Sequence, residues 1–83
     1  MIILGLDQEN KLLAKGGNYM ELSIQIKKYR TELYLSQEEL AEKVYVTRQT
    51  ISNWENEKSY PDIHSLLLLS SLFNVSLDQL IKG

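Results

Sequence analysis

An all-α domain of five short helices is the fold this sequence predicts, and three observations predict it. Leu22, Ile26, Tyr29 and Leu33 recur at i, i+4, i+7 and i+11, which is one face of a helix. Ser36, Thr47 and Ser76 each stand just ahead of a helical pattern, where a short side-chain oxygen accepts from a free backbone N–H. The connections between these patterns are short, so contact order is low and successive helices pack on one another.

Residues 1–19 differ in pattern from the rest of the chain. Ile2-Ile-Leu-Gly-Leu and Lys11-Leu-Leu-Ala flank Asp7-Gln-Glu-Asn, a pattern for a small hairpin, although an isolated hairpin is marginal. A second reading makes residues 1–19 a leader. Lys15-Gly-Gly-Asn-Tyr-Met20 back-translates to a ribosome-binding sequence just ahead of a start codon, which would place the native start at Met20. Sequencing the native N-terminus decides between them. The domain is therefore expected over residues 20–83.

The helical pattern begins at Met20. Ser36 caps the second helix, Glu39 completes a Ser-x-x-Glu capping box, and Leu40, Ala41 and Val44 make the apolar face. Thr47 caps the third, which buries Ile51 and Trp54. Ser59-Tyr-Pro-Asp breaks the chain, and Pro61-Asp62 starts a fourth helix running through Phe73. Its core face is expected to be Ile63, Leu66, Ser70 and Phe73, leaving His64, Leu68 and Leu72 as an outward ridge. Ser76, with Gln79 three residues on, caps a last helix carrying Leu77, Leu80 and Ile81.

Composition narrows the function classes. Eighty-three residues make one small domain, too short to enclose a large catalytic cleft. Hydrophobic content of 43% and charged content of 24% are ordinary for a folded chain. Without cysteine there is no disulfide or thiolate zinc site, which fits a reducing compartment. No apolar run is longer than Leu66 to Leu69, far short of a membrane span, and Met1-Ile-Ile-Leu-Gly-Leu lacks the features of a secretory signal. A cytoplasmic location is the expectation. His64 is the single histidine, and Gly16-Gly17 is no phosphate-binding loop, so neither a metal, a cofactor, a small-molecule ligand nor a catalytic group is expected.

Residues 36–56 carry the functional signal. Two short helices joined by a tight turn make a helix-turn-helix, which sets its second helix in a DNA major groove. With Ile51 and Trp54 facing inward, Gln49, Ser52, Asn53 and Asn56 face out and Arg48 projects from the N-terminal end. Such a polar face is commonly only solvated; its setting behind a capped helix and a tight turn is what points to base readout. Arg can pair with guanine O6 and N7, and Gln or Asn with adenine N6 and N7. Gln37, at the free end of the second helix, is a candidate for phosphate, with Thr47, Asn56, Lys58 and Tyr60 on the rim and Lys43 the weakest candidate. The net charge of −2 opposes a nucleic-acid role for a monomer, so pairing into a homodimer is expected to double the phosphate contacts.

Leu-Ser-Gln-Glu-Glu-Leu-Ala and Thr-Arg-Gln-Thr-Ile-Ser-Asn-Trp-Glu, with Lys58-Ser-Tyr-Pro-Asp and Val75-Ser-Leu-Asp-Gln-Leu, resemble the phage-repressor (Cro/repressor-like, or XRE) helix-turn-helix family over roughly Leu22 to Ile81. The resemblance implies a lambda-repressor-like fold and a prokaryotic transcriptional regulator, a repressor acting on double-stranded DNA. It also implies phosphate binding by Gln37, base contacts from Arg48, Gln49 and Asn53, and a structural pair of Arg30 with Glu55.

Two departures stand out. Tyr34, Tyr45 and Glu57 occupy connections where the family often has glycine; positive φ there costs about 1 kcal/mol each. Glu57 also sets a negative charge beside Lys58. The second departure is the apolar ridge of His64, Leu68 and Leu72, read either as scattered surface residues or as a patch for self-association. That ridge supports an alternative function, a protein-interaction module such as an antitoxin or an antagonist of another regulator.

Overall fold

Side-chain caps fix where the last four helices begin. In the computed structural model, which describes the backbone of residues 17–83 and the side chains of residues 21–83, the elements are α1 (Gly17–Glu32), α2 (Gln37–Lys43), α3 (Arg48–Glu55), α4 (Ile63–Phe73) and α5 (Leu77–Lys82). Ser36 Oγ accepts from Glu39 N–H at 3.0 Å while Glu39 Oε1 accepts from Ser36 N–H at 2.8 Å, a closed capping box. Thr47 and Ser76 cap α3 and α5 in the same sense, each accepting from the N–H three residues on. Asp62 is the cap of α4 and not part of it. Helix α1 begins at Gly17, ahead of the expected start at Met20; the hairpin and leader readings otherwise fall on residues 1–16, outside the described residues.

The first four helices all stop in one way. Tyr34, Tyr45, Glu57 and Asn74 take left-handed φ of 59°, 62°, 62° and 59°. The next residue's N–H then reaches back five positions: Leu35 to Arg30, Val46 to Ala41, Lys58 to Asn53 and Val75 to Ser70, at 2.8–3.0 Å. This is the Schellman termination, usually built on glycine. Three of the four residues after the left-handed position, Leu35, Val46 and Val75, pack against the core. That apolar contact helps hold a side chain in a conformation glycine would adopt freely.

Leu22 and Ile26 of α1 meet Leu40, Ala41 and Val44, Ile51 and Trp54, Leu66, Leu69 and Phe73, and Leu80 in one core. Helix α1 packs against α3, α4 and α5, α2 packs against α3, and α4 packs against α5. Tyr29 stacks on Phe73 with ring centroids 5.3 Å apart. Buried Gln25 has its amide 3.4 Å from Tyr29 Oη and from the Gln79 carbonyl near the end of α5.

Two expectations are corrected. Leu33 is 47% exposed, because α1 ends at Glu32 and the chain has already turned toward the left-handed Tyr34. Leu35 packs against the core in that region. On α4, Ile63 is 63% exposed: it is the first helical residue, and side chains there lean back past the helix end. The inward face is Ser65, Leu66, Leu69 and Phe73, with Ser70 half-buried. That rotation draws Leu68 and Leu72 into half-buried contact with the core, leaving His64 exposed without them as a ridge. The exposed apolar pair on this helix is Ile63 with Leu67.

Candidate nucleic-acid interface

Helix α3 is anchored by two residues. Ile51 is fully buried and Trp54 nearly so, which fixes the rotation of the helix about its axis. On the remaining surface, Arg48, Gln49 and Asn56 are exposed, and Ser52 and Asn53 half-buried. The polar side chains there bond to one another along the helix. Gln49 Nε2 donates to Asn53 Oδ1 at 3.0 Å, and Asn56 Nδ2 donates to Ser52 Oγ at 3.3 Å, both across one helical turn. The two pairs hold the long amides against the helix, yet each amide keeps hydrogen-bonding capacity for a further partner.

The rim candidates lie at the two ends of α3. Thr47 is exposed; its hydroxyl caps the helix and lies 2.9 Å from Thr50 Oγ1. Lys58 and Tyr60 come after the other end and share a groove of about 230 Å³ with Trp54, Leu22, Pro61 and Glu57. Glu57 and Lys58 both line this groove. Lys43 is exposed near the end of α2.

Gln37 is half-buried and tied into a chain of polar groups. Arg30 donates from Nε to Glu55 Oε2 at 2.7 Å and from Nη2 to Glu55 Oε1 at 3.1 Å. Its Nη1 donates to the Leu35 carbonyl at 2.8 Å, at the turn into α2. Gln37 Nε2 donates to the same Glu55 Oε1 at 3.1 Å, and Arg48 Nη1 reaches Gln37 Oε1 at 3.5 Å. Four side chains from three helices thus join the end of α1 to the first residue of α3. The links through Gln37 were not legible in the sequence, since neither helical spacing nor the family resemblance pairs Gln37 with Glu55. Among the described residues, no three His, Asp or Glu side chains gather as a metal site, and no helix is long and apolar enough to cross a membrane.

A family model described as helix-turn-helix matches residues 26–80, well over half of the sequence. The chain belongs to the helix-turn-helix family of phage-repressor (XRE) type. This helix-turn-helix chain is 44% identical over 64 residues to the transcriptional activator BcrR of Enterococcus faecalis, covering 77% of this chain and 31% of that one. It is 39% identical over 62 residues to the regulator ImmR of Bacillus subtilis (strain 168), covering 75% and 49%. The chain therefore spans about three-tenths to a half of the length of these relatives. Among solved structures, the P22 c2 repressor in complex with synthetic operator 9T in the presence of Tl+ matches with a TM-score of 0.71 and 34% identity, over 75% of this chain and 94% of that one. The lambda-repressor-like fold is common to both.

Proposed function

We propose that residues 20–83 are the DNA-binding domain of a cytoplasmic transcriptional regulator that sets α3 in the major groove of its operator. The observation that carries this reading is the outer face of α3. A helix locked by Ile51 and Trp54 presents Arg48, Gln49, Ser52 and Asn53 together, the residue types that read base edges. Gln37 at the start of α2, Thr47 and Asn56 at the two caps of α3, and Lys58 and Tyr60 just after it fix its register on phosphates. The similarity to an operator-bound repressor supports the DNA partner. Repression is the sign of regulation we favour, although BcrR is named an activator. With a net charge of −2, one copy gathers few phosphates, so the regulator acts as a homodimer on half-sites about 34 Å apart.

Selection of bound duplexes from a random pool at two salt concentrations tests the reading. Enrichment of an inverted repeat with about 10 bp between half-site centres is expected. Binding that enriches no sequence and only fades with salt would reject it. A second reading, an interaction module that docks on another protein, draws on the exposed Ile63 and Leu67. A stoichiometric protein complex that excludes DNA would favour that one.

A further inference from the structure

Gln37 touches groups of opposite chemistry at its two ends. On one side is the Glu55 carboxylate, which has no proton to give; on the other is the Arg48 guanidinium, which has only protons to give. One amide orientation satisfies both, with Nε2 toward Glu55 and Oε1 toward Arg48. Reversing the amide would set oxygen against carboxylate and N–H against guanidinium, so both contacts turn repulsive at once. The neighbours thereby fix a choice that an isolated glutamine makes almost freely.

The anchor of this arrangement is Glu55. Its side chain is only 4% exposed, and Arg30 holds both of its oxygens. Oε1 accepts from Arg30 and from Gln37 together. The geometry points to Glu55 as a positioning residue: through the core ion pair it locks the Gln37 amide, so that the second Nε2 proton is the donor offered to a phosphodiester oxygen and Oε1 holds Arg48 until a base replaces it. Among the described residues, Gln37 has no hydrogen bond that uses this second proton. The inference rests on the DNA-binding reading and adds what orients its phosphate and base contacts. It also makes the fold's main ion pair part of the binding surface, since one oxygen serves both.

Two measurements on the full chain test it. In the amide NMR spectrum of the free protein, the two Gln37 side-chain protons should be well separated, with the proton facing Glu55 exchanging slowly with water. In Glu55→Gln the separation and the exchange rate should fall back to those of an exposed glutamine while the backbone signals of α3 persist. The second measurement is a double-mutant cycle for binding an enriched duplex. Gln37→Ala should weaken binding about tenfold in the natural background, the loss of one charge-assisted hydrogen bond, and less than about twofold beside Glu55→Gln. If Glu55 served the fold only, the effect of Gln37→Ala would be equal in both backgrounds, and that outcome overturns the inference. If Glu55→Gln does not fold, the natural protein still decides: Gln37 protons that exchange as fast as those of exposed Gln49 overturn it. Should no duplex be enriched, the DNA reading fails, while the spectrum separately decides whether Glu55 locks Gln37.

Discussion

Arg30 and Glu55 meet side-on, Nε to Oε2 at 2.7 Å and Nη2 to Oε1 at 3.1 Å, with side-chain exposures of 12% and 4%. The pair joins the last turn of α1 to the last residue of α3. Removing one member leaves the other buried without a counter-charge, which is worse than never having had the pair. Arg30→Ala and Glu55→Ala should each lower unfolding free energy by about 3 kcal/mol, read from urea denaturation. The double replacement should cost clearly less than the sum.

The helix ends supply a prediction of opposite sign. Tyr34 and Tyr45 are 92% and 81% exposed and hold left-handed backbone, so glycine at either site loses little contact and relieves strain. Offset by the extra freedom glycine gives the unfolded chain, Tyr34→Gly and Tyr45→Gly should each stabilise by about 0.5–1 kcal/mol. Asn74→Gly should gain less, because asparagine tolerates this region better. Thermal melts of the three variants check the order.

On α4 the rotation of the helix separates two adjacent leucines. Leu67 is 50% exposed, and Leu67→Lys should leave stability within about 0.5 kcal/mol. Leu68 packs against the core, and Leu68→Lys should cost about 2 kcal/mol as its stem is pulled from apolar neighbours. Equal costs at the two sites in denaturant titrations would contradict the observed rotation.

Asp62 should contribute a pH dependence at the acid limb of stability. The Ser65 backbone N–H, then the Ser65 hydroxyl and nearby His64, hold its carboxyl below the ordinary 3.8. A group whose folded pKa is depressed contributes its stability above the unfolded value and loses it as pH falls through the folded one. The natural protein should therefore lose thermal stability on acidification below about the carboxylate range, and Asp62→Asn should show a shallower loss there.

Contacts to bases and to phosphates should separate by their signatures. Arg48→Ala and Gln49→Ala are each expected to cost about 1–3 kcal/mol of operator affinity and to relax preference at one base pair. Lys58→Ala should weaken all sequences alike and reduce the salt slope by about one. Affinity measured across single-base operator variants at several salt concentrations distinguishes the two patterns.

Local chemistry was readable in the sequence because its causes are local. Ser36 with Glu39, Thr47 and Ser76 cap as their spacing requires, and Ile51 with Trp54 fix the inner face of α3 by helical period alone. The left-handed backbone at Tyr34, Tyr45 and Glu57 was legible through the glycine usual there in relatives; Asn74 carried no such cue. Rotation of α4 was not legible. Its run Leu66-Leu-Leu-Leu69 offers apolar residues on every side, so periodicity cannot choose a face and packing against α1 and α5 decides. The Gln37–Glu55 link was hidden for a different reason: it arises only when α2 is docked on α3.

Intermolecular NOEs between the chain's α3 side chains and a bound duplex enriched by selection test the central claim most directly. Contacts from Arg48, Gln49, Ser52 and Asn53 to thymine methyl and cytosine H5 protons, which line the major groove, are the predicted result. Contacts to minor-groove protons, or from α1 or α4 with none from α3, would contradict it.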